Sequence, residues 1–205
     1  MEKKILIVVL ACEDSSYHKI EQTIRQTWAS QKHPNIQVIY YYGNSTQYKL
    51  KGDKLYVPCQ DVYHNISYKT YLMFKYVIKN FKFDILFRTN MSSYIDFKKL
   101  VKKASTLKSS NLYAGPHAHA NYKDRYGYVN KKIVSGSGVF LSKDVIPKII
   151  KHANLWRTEL VDDLVLSIMC KKLNIESQII KSTQGYAPIV NSNTIKKAYY
   201  NGMLF

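Results

Sequence analysis

The pattern of apolar and polar positions along the chain predicts alternating strands and helices. Ile5–Leu10 is a continuous apolar run behind two lysines, which is typical of a central parallel strand buried on both faces. Ile20, Ile24 and Trp28 then recur at four-residue spacing and predict a helix with one apolar stripe. Residues 38–42 form the next apolar run. Strand, helix and strand at these distances predict a βαβ unit.

The middle of the chain repeats this alternation. Residues 55–58 predict a short edge strand, and the periodicity of residues 65–80 predicts a helix with Lys69 on its solvent side. Residues 83–87 predict a buried strand, and Asn90, Met91 and Ser92 follow shortly after it. Because ligands of α/β proteins bind beyond the carboxyl ends of such strands, residues 90–92 occupy a candidate site.

Weaker patterns complete the chain. They predict strands at residues 111–114, 139–141 and 178–180, and helices capped by Ser15 or Ser16, by Asp96 and by Ser142, or opened by Asp162. Residues 116–132 and 184–205 are rich in aromatic residues and show no clear periodicity. Because no repeat or linker-like composition interrupts the sequence, we expect one α/β domain over residues 1–205.

The composition limits the classes of partner. The chain carries 31 Lys and Arg residues against 14 Asp and Glu, a formal net charge of +17. Such a charge favours anionic partners, among them nucleic acids, phosphorylated sugars and acidic lipids. Much of the excess is lysine on predicted helix faces, so a solvated basic surface explains it equally well. Since no nucleic-acid-reading motif is present, we expect no specific nucleic-acid partner.

The cysteines and the first apolar run bear on the compartment. Cys12, Cys59 and Cys170 are odd in number and widely spaced, which predicts neither a disulfide framework nor a zinc site. A reducing compartment fits this usage. The apolar run of residues 5–11 is too short for a signal peptide or a membrane span, so we expect a cytoplasmic protein without a transmembrane segment. Nothing in the sequence indicates the oligomeric state.

Three short patterns carry candidate chemistry. Asp162 and Asp163 open a predicted helix, where the helix dipole keeps a carboxylate ionised and able to act as a general base. Ordinary enrichment of acids at helix starts explains the same pair. Gly136 and Gly138 let a backbone approach a ligand closely, although a bulge or tight turn needs glycine equally.

The third pattern is a pair of histidines. His117 and His119 are two residues apart, so on an extended segment they share one face and form a possible metal pair. No further ligand lies close in sequence, which favours an ordinary polar loop.

Four blocks in a fixed order resemble one family. Residues 24–28 fit the block I-R-x-T-W, and residues 61–70 resemble D-x-Y-x-N-L-T-x-K-T. Residues 133–142 look like Y-x-S-G-x-G-Y-V-L-S, and residues 162–164 like E/D-D-V at a helix start. Together these blocks resemble the β-1,3-galactosyltransferase and Fringe-like glycosyltransferases. Their common order makes chance similarity improbable, although single motifs mislead.

The resemblance implies a GT-A fold, a Rossmann-like mixed sheet flanked by helices. It also implies inverting transfer from a UDP-sugar to a hydroxyl of a glycan or glycoconjugate, with a β-1,3-type linkage. Asp163 matches the family's catalytic base, and Asp162 is its neighbour. The residues expected at the donor are Arg25, Arg88, Asn90, Ser92, Gly136 and Gly138. The residues expected on the acceptor side, within the Tyr-rich segment, are His117, His119, Tyr122 and Tyr126.

One departure from the family concerns the metal. The metal-binding DxD of the family aligns with Asn90, Met91 and Ser92, whose neutral groups are poor ligands for Mn²⁺. We therefore expect no metal site here and a weak or absent requirement for Mn²⁺. Arg88 or Arg125 would then supply the positive charge that the diphosphate needs.

The same departure leaves a second function open. A GT-A module that has lost catalysis could still bind a glycan or nucleotide, or act as a subunit of a larger complex. The sequence indicates neither the donor sugar nor the acceptor.

Overall fold

The computed structural model describes residues 2–120, 131–180 and 186–188 of the 205-residue chain. The strands within these ranges are β1 (Ile5–Leu10), β2 (Ile36–Tyr42), β3 (Lys49–Lys51), β4 (Lys54–Tyr56), β5 (Ile85–Asn90), β6 (Ser93–Ile95), β7 (Tyr113–Gly115), β8 (His117–Ala120), β9 (Lys131–Val134), β10 (Val139–Ser142), β11 (Ser177–Ile179) and β12 (Tyr186–Pro188). The α-helices are α1 (Ser15–Gln26), α2 (Ile66–Asn80), α3 (Phe97–Ser105), α4 (Val145–Lys151) and α5 (Asp162–Lys172). Among the described helices, none combines the length and apolar character needed to cross a membrane.

Eight strands form one mixed sheet in the order β11-β7-β10-β5-β1-β2-β4-β3. β1 lies at its centre and pairs in parallel with β2 and with β5. β10 runs antiparallel to both β5 and β7. Two short antiparallel pairs, β12 with β6 and β8 with β9, lie outside this sheet. The mixed α/β sheet predicted from the sequence is confirmed.

The continuous apolar run of β1 contributes side chains to two hydrophobic cores, one on each face of the sheet. Ile5, Ile7 and Val9 pack into the core that contains residues of α1 and α3. Leu6 and Val8 pack into the core that contains residues of α2, α4 and α5. Successive side chains of a strand point to opposite faces, so a strand covered by helices on both sides must be apolar throughout.

Two predicted caps and one predicted edge are wrong. Asp14 caps α1 by accepting a hydrogen bond from the Ser16 N–H at 2.8 Å, so neither Ser15 nor Ser16 is the cap. Ser142 ends β10 and donates to Asp144 at 2.6 Å, while α4 begins three residues later. β4 is interior because β3 pairs with it and forms the edge. Asp96 does cap α3, accepting from the Lys99 N–H at 3.0 Å.

The topology brings two further chain segments to the carboxyl end of β5. In the antiparallel pair of β10 and β5, Val139 lies opposite Arg88. The loop before β10, residues 135–138, therefore meets the end of β5. The turn after β1 reaches the same edge because β1 and β5 are parallel, with Leu10 opposite Asn90.

Candidate active site

A cavity of about 680 Å³ opens at this edge of the sheet. Its walls come from the end of β1, the start of α1, the segment that leads into α2, the end of β5, the loop before β10 and the start of α5. The lining residues used below are Cys12, Tyr17, Asp61, Tyr63, Lys69, Arg88, Asn90, Ser92, Gly136, Asp162 and Asp163. Its volume lies within the usual range of ligand pockets, about 300–1,000 Å³.

Arg88 lies near the carboxyl end of β5, beside the cavity, and is only 3% exposed. Its Nη1 donates to the side-chain oxygen of Asn90 at 2.7 Å and to the carbonyl oxygen of Gly136. Its Nη2 forms an ion pair with Asp162 at 2.6 Å. The guanidinium thus connects β5, the loop before β10 and the start of α5.

Asp162 is a buried structural carboxylate. Besides Arg88, its Oδ2 accepts a hydrogen bond from the Thr70 hydroxyl of α2 at 2.9 Å. The Thr70 hydroxyl in turn lies 3.1 Å from the Tyr41 hydroxyl. A buried carboxylate needs such partners, because removing one member of a buried ion pair costs on the order of 3–5 kcal/mol. Asp162 is therefore held in place by Arg88 and Thr70.

Asp163, by contrast, has its carboxylate on the cavity wall. Its Oδ2 accepts a hydrogen bond from the Gly136 N–H at 3.2 Å, and its Oδ1 accepts from the Leu164 N–H at 2.9 Å. Both donors are backbone groups, so they fix the orientation of the carboxylate without neutralising its charge. Burial, and then the charge of Asp162, raise the pKa of Asp163, while Arg88 and the two N–H groups offset part of this.

Gly136 is a glycine because of Arg88. A Cβ atom at this position would clash with the Arg88 Nη1, at a separation shorter than any real contact allows. Gly138 plays a different part, since it does not line the cavity and its carbonyl oxygen lies against Gly115. A Cβ atom at Gly115 would clash with that oxygen. The structure thus places Gly136 at the site and Gly138 behind it.

Lys69 and Asp61 form a second buried ion pair in the cavity wall, with both side chains 3% exposed. The Lys69 ammonium also donates to the Ala11 carbonyl oxygen at 2.8 Å, just beyond β1. The prediction that Lys69 faces solvent is therefore wrong, because this side of α2 packs against the turn after β1. Helical periodicity does not indicate that Asp61 and Lys69 contribute to the site. The signal for them in the sequence is that both match fixed positions of the family block at residues 61–70.

Residues 90–92 do not fit a metal ion. The side-chain oxygen of Asn90, the stronger of the two possible ligands, already accepts a hydrogen bond from Arg88. Ser92 offers only a neutral hydroxyl, a weak ligand for a hard divalent cation. Within residues 2–120, 131–180 and 186–188, no three His, Cys, Asp or Glu side chains come together as a metal cluster.

Several residues expected at the site lie elsewhere. Arg25 pairs with Asp53 at 2.6 Å and with Glu21 at 2.9 Å, stacks 4.1 Å from the centre of the Tyr40 ring, and does not line the cavity. These contacts hold α1 against the outer strands, so the structure gives Arg25 a structural setting.

The acceptor-side residues are only partly described. His117 begins β8, is half-buried and does not line the cavity. The backbone of His119 belongs to the same strand. Tyr122, Tyr126 and Arg125 lie outside the described residues.

Two tyrosines at the cavity mouth escaped sequence reasoning. Tyr17 on α1 is 44% exposed, and Tyr63 before α2 is 69% exposed. Aromatic faces that remain exposed beside a cavity are suited to stack on flat rings such as bases or sugars.

Cys12 lies in the same wall, and burial raises the pKa of its thiol, so it is a poor nucleophile at neutral pH.

The raised pKa of Asp163 predicts that this residue costs stability. A carboxylate whose pKa is higher in the folded than in the unfolded chain destabilises the fold above its folded pKa, and the cost disappears as it becomes protonated. We expect Asp163→Asn to raise the free energy of unfolding at pH 7, because the neutral amide removes a carboxylate that burial and Asp162 disfavour. The gain should shrink as the pH falls through the folded pKa of Asp163. Denaturant melts over a pH series measure this.

Asp144→Asn is the matched control for that prediction. Burial alone would raise the pKa of Asp144, but hydrogen bonds from Ser142, the Asn111 N–H and Lys148 outweigh it and lower the pKa. Its removal should therefore destabilise the protein at pH 7, the opposite sign. Equal losses in both variants would contradict the placement of Asp163 described above.

Comparisons with solved structures support the fold. A glycosyltransferase involved in glycosylation of the major capsid of PBCV-1 is 10% identical with a TM-score of 0.57, and the alignment covers 96% of this chain and 98% of that one. The inositol-1-phosphate CTP transferase of T. maritima is 10% identical with a TM-score of 0.55, and coverage is 96% of each chain. At such identities the likeness concerns the fold alone, which is the GT-A type.

Comparisons of sequence give the family. The chain is 24% identical over 211 residues to UDP-GalNAc:beta-1,3-N-acetylgalactosaminyltransferase 1 of Rattus norvegicus, which covers 86% of this chain. The chain spans 63% of the length of that relative. The galactosyltransferase family model matches residues 20–181, a range that includes every described residue of the cavity named above except Cys12 and Tyr17. The chain therefore belongs to the galactosyltransferase family.

Proposed function

We propose that this protein transfers a hexose or N-acetylhexosamine from a UDP-sugar to a hydroxyl of a glycan or glycoconjugate, with inversion and a β-1,3-type linkage. The observation that carries this proposal is the carboxylate of Asp163, which is fixed on the cavity wall by two backbone donors. Its raised pKa makes it a better proton acceptor than an ordinary aspartate.

The reaction balances with Asp163 as the base. The carboxylate takes the proton of the acceptor hydroxyl while that oxygen attacks the anomeric carbon of the donor. The bond between this carbon and the diphosphate oxygen breaks, and UDP leaves with the electron pair. Attack opposite to the leaving group inverts the configuration at the anomeric carbon. One base suffices for this single displacement.

The donor is expected along the wall formed by the ends of β1 and β5. Asn90 and Ser92 lie in this wall and can hydrogen-bond the ribose or the phosphates. Tyr17 and Tyr63 flank the mouth, where a base or sugar ring can stack. The acceptor would then approach from the side of Asp163.

The charge of the diphosphate needs a further partner. The charged residues that line the described cavity are Asp14, Asp61, Asp162, Asp163, Lys69 and Arg88. Both cations, Lys69 and Arg88, already pair with carboxylates. Arg88 is thus less suited to replace a metal than the sequence suggested. Residues 90–92 do not fit a protein-bound cation either. Metal independence therefore stays a prediction, and positive charge must come from beyond these walls.

A non-catalytic binding module is the second candidate. The neutral side chains of Asn90 and Ser92 at the family's metal position favour it, because they remove two carboxylates that the chemistry of relatives would use. Such a module keeps the cavity and binds a glycan or nucleotide, alone or within a larger complex.

A single domain over residues 1–205 and a cytoplasmic location also stay predictions, which limited proteolysis and cell fractionation would test.

Removal of the base separates the two candidates. We expect Asp163→Asn to lower the rate of UDP release from UDP-sugars by about 10²–10⁴, the usual contribution of a general base. UDP affinity, measured by calorimetry, should change little. Asp144→Asn, outside the cavity, is the control and should retain the wild-type rate. A wild-type protein that binds UDP but releases none from any UDP-sugar would favour the binding module.

Chelation tests the metal prediction. If no cation is needed, the rate of UDP release should change by less than about tenfold, or 1.4 kcal/mol, between excess EDTA and Mn²⁺. A loss of about a hundredfold or more in EDTA, restored by Mn²⁺, would contradict metal independence. It would assign the missing positive charge to a cation that arrives with the diphosphate.

A further inference from the structure

We propose that Arg88 is the positioning residue of the site, whose guanidinium orients the Asp163 carboxylate by locking three chain segments together. Its importance for catalysis rests on the proposed function, whereas the positioning itself is a property of the fold. The described contacts of Arg88 are with Asn90, Gly136 and Asp162, so it makes no hydrogen bond of its own with Asp163. It acts through its neighbours.

Contacts from three chain segments converge on this one buried group. Nη1 donates hydrogen bonds to Asn90 at the end of β5 and to the Gly136 carbonyl oxygen in the loop before β10. Nη2 forms the ion pair with Asp162 at the start of α5. The planar fork of arginine presents its donors in fixed directions, so one buried guanidinium sets the relative positions of all three segments.

Two of these contacts lead directly to Asp163. The residue Gly136 accepts from Arg88 through its carbonyl oxygen and donates to Asp163 through its N–H at 3.2 Å. Asp162 precedes Asp163 in the same helical turn. Arg88 therefore holds Asp163 both through the backbone that hydrogen-bonds its carboxylate and through the residue beside it.

The loop is also fitted sterically to Arg88. The space that a side chain would need at Gly136 is filled by the guanidinium, so that a Cβ atom there would clash with Nη1. The loop can thus approach Arg88 only as glycine. Thr89 and Ser93 reinforce the same loop, since both hydroxyls donate to the Ser137 carbonyl oxygen, at 2.7 and 3.2 Å.

The charges at this point do not cancel fully. One guanidinium lies beside two adjacent carboxylates, and the ion pair with Asp162 cancels one of them. Of the three charged groups, the carboxylate of Asp163 is the one whose charge is not cancelled. It lies on the cavity wall, where it can accept a proton. Substitution of Arg88 leaves two carboxylates side by side, and such a pair binds a proton at higher pH.

The test is an NMR titration of the aspartate carboxyl carbons and of the Gly136 amide, with Asp163→Asn used to assign the signals. In the wild type, the Gly136 N–H should follow the protonation of Asp163. In Arg88→Met, this dependence should be lost, and the pKa of Asp163 should rise, because the positive charge of Arg88 that lowers it is gone. In Asp162→Asn, the pKa of Asp163 should fall, because an uncompensated guanidinium then lies nearby.

Two further variants keep the test decisive. Arg88→Lys retains the charge, so it should leave the pKa of Asp163 near its wild-type value. It should nevertheless lose the Gly136 signature, since one ammonium cannot reproduce the fork. Arg25→Met removes another ion-paired arginine, which lies outside the cavity, and should change neither readout. It also controls for general destabilisation.

An unchanged pKa of Asp163 in Arg88→Met, or an unchanged Gly136 signature in either Arg88 variant, would overturn the proposal. If Arg88→Met does not fold, Arg88→Lys and Asp162→Asn decide it by the same readouts. None of these measurements needs a substrate. The two proposals can therefore fail separately. If the titration behaves as expected but the Asp163→Asn variant still transfers sugar, the proposed function is rejected and the positioning role is kept.

Discussion

The buried ion pair between Arg88 and Asp162 is the constraint on which the rest of the site depends. A strand, a loop and a helix start meet at the edge of the sheet, and each brings backbone groups or charges that need partners. Arg88 satisfies acceptors from all three and is itself 3% exposed. Without a cation there, Asp162 would be a buried, uncompensated charge. The pair therefore fixes the geometry around Asp163 at the same time as it fixes the charge.

The layered framework could be predicted well because its signals are local. The β1 run is apolar on both faces, and helical periodicity marks α1 and α2, so the βαβ unit and its packing in layers follow from simple rules. The position of Asp163 at a helix start was also visible. The four blocks added what periodicity cannot supply, namely that these local features occur in the order of one enzyme family.

What the sequence did not reveal depends on contacts between distant segments. Lys69 lies on what periodicity marks as the solvent side of α2, yet it is buried because Asp61 and the turn after β1 come to meet it. Gly136 carried two explanations until the structure showed that Arg88 fills the space of its side chain. Arg25 matches a family block, but its ion pair with Asp53 holds α1 against the outer strands. Burial of a charge is a tertiary property, and no local pattern encodes its partner.

The most direct measurement is a map of UDP binding by amide chemical shifts in the wild-type protein. We expect the shifts to concentrate on Cys12, residues 90–92 and Gly136, around the cavity of about 680 Å³. A second cavity of about 540 Å³, lined in part by Tyr113 and Lys171, offers a built-in comparison on the same molecule. Shifts that concentrate there, or no shifts at saturating UDP, would contradict the assignment of the candidate active site.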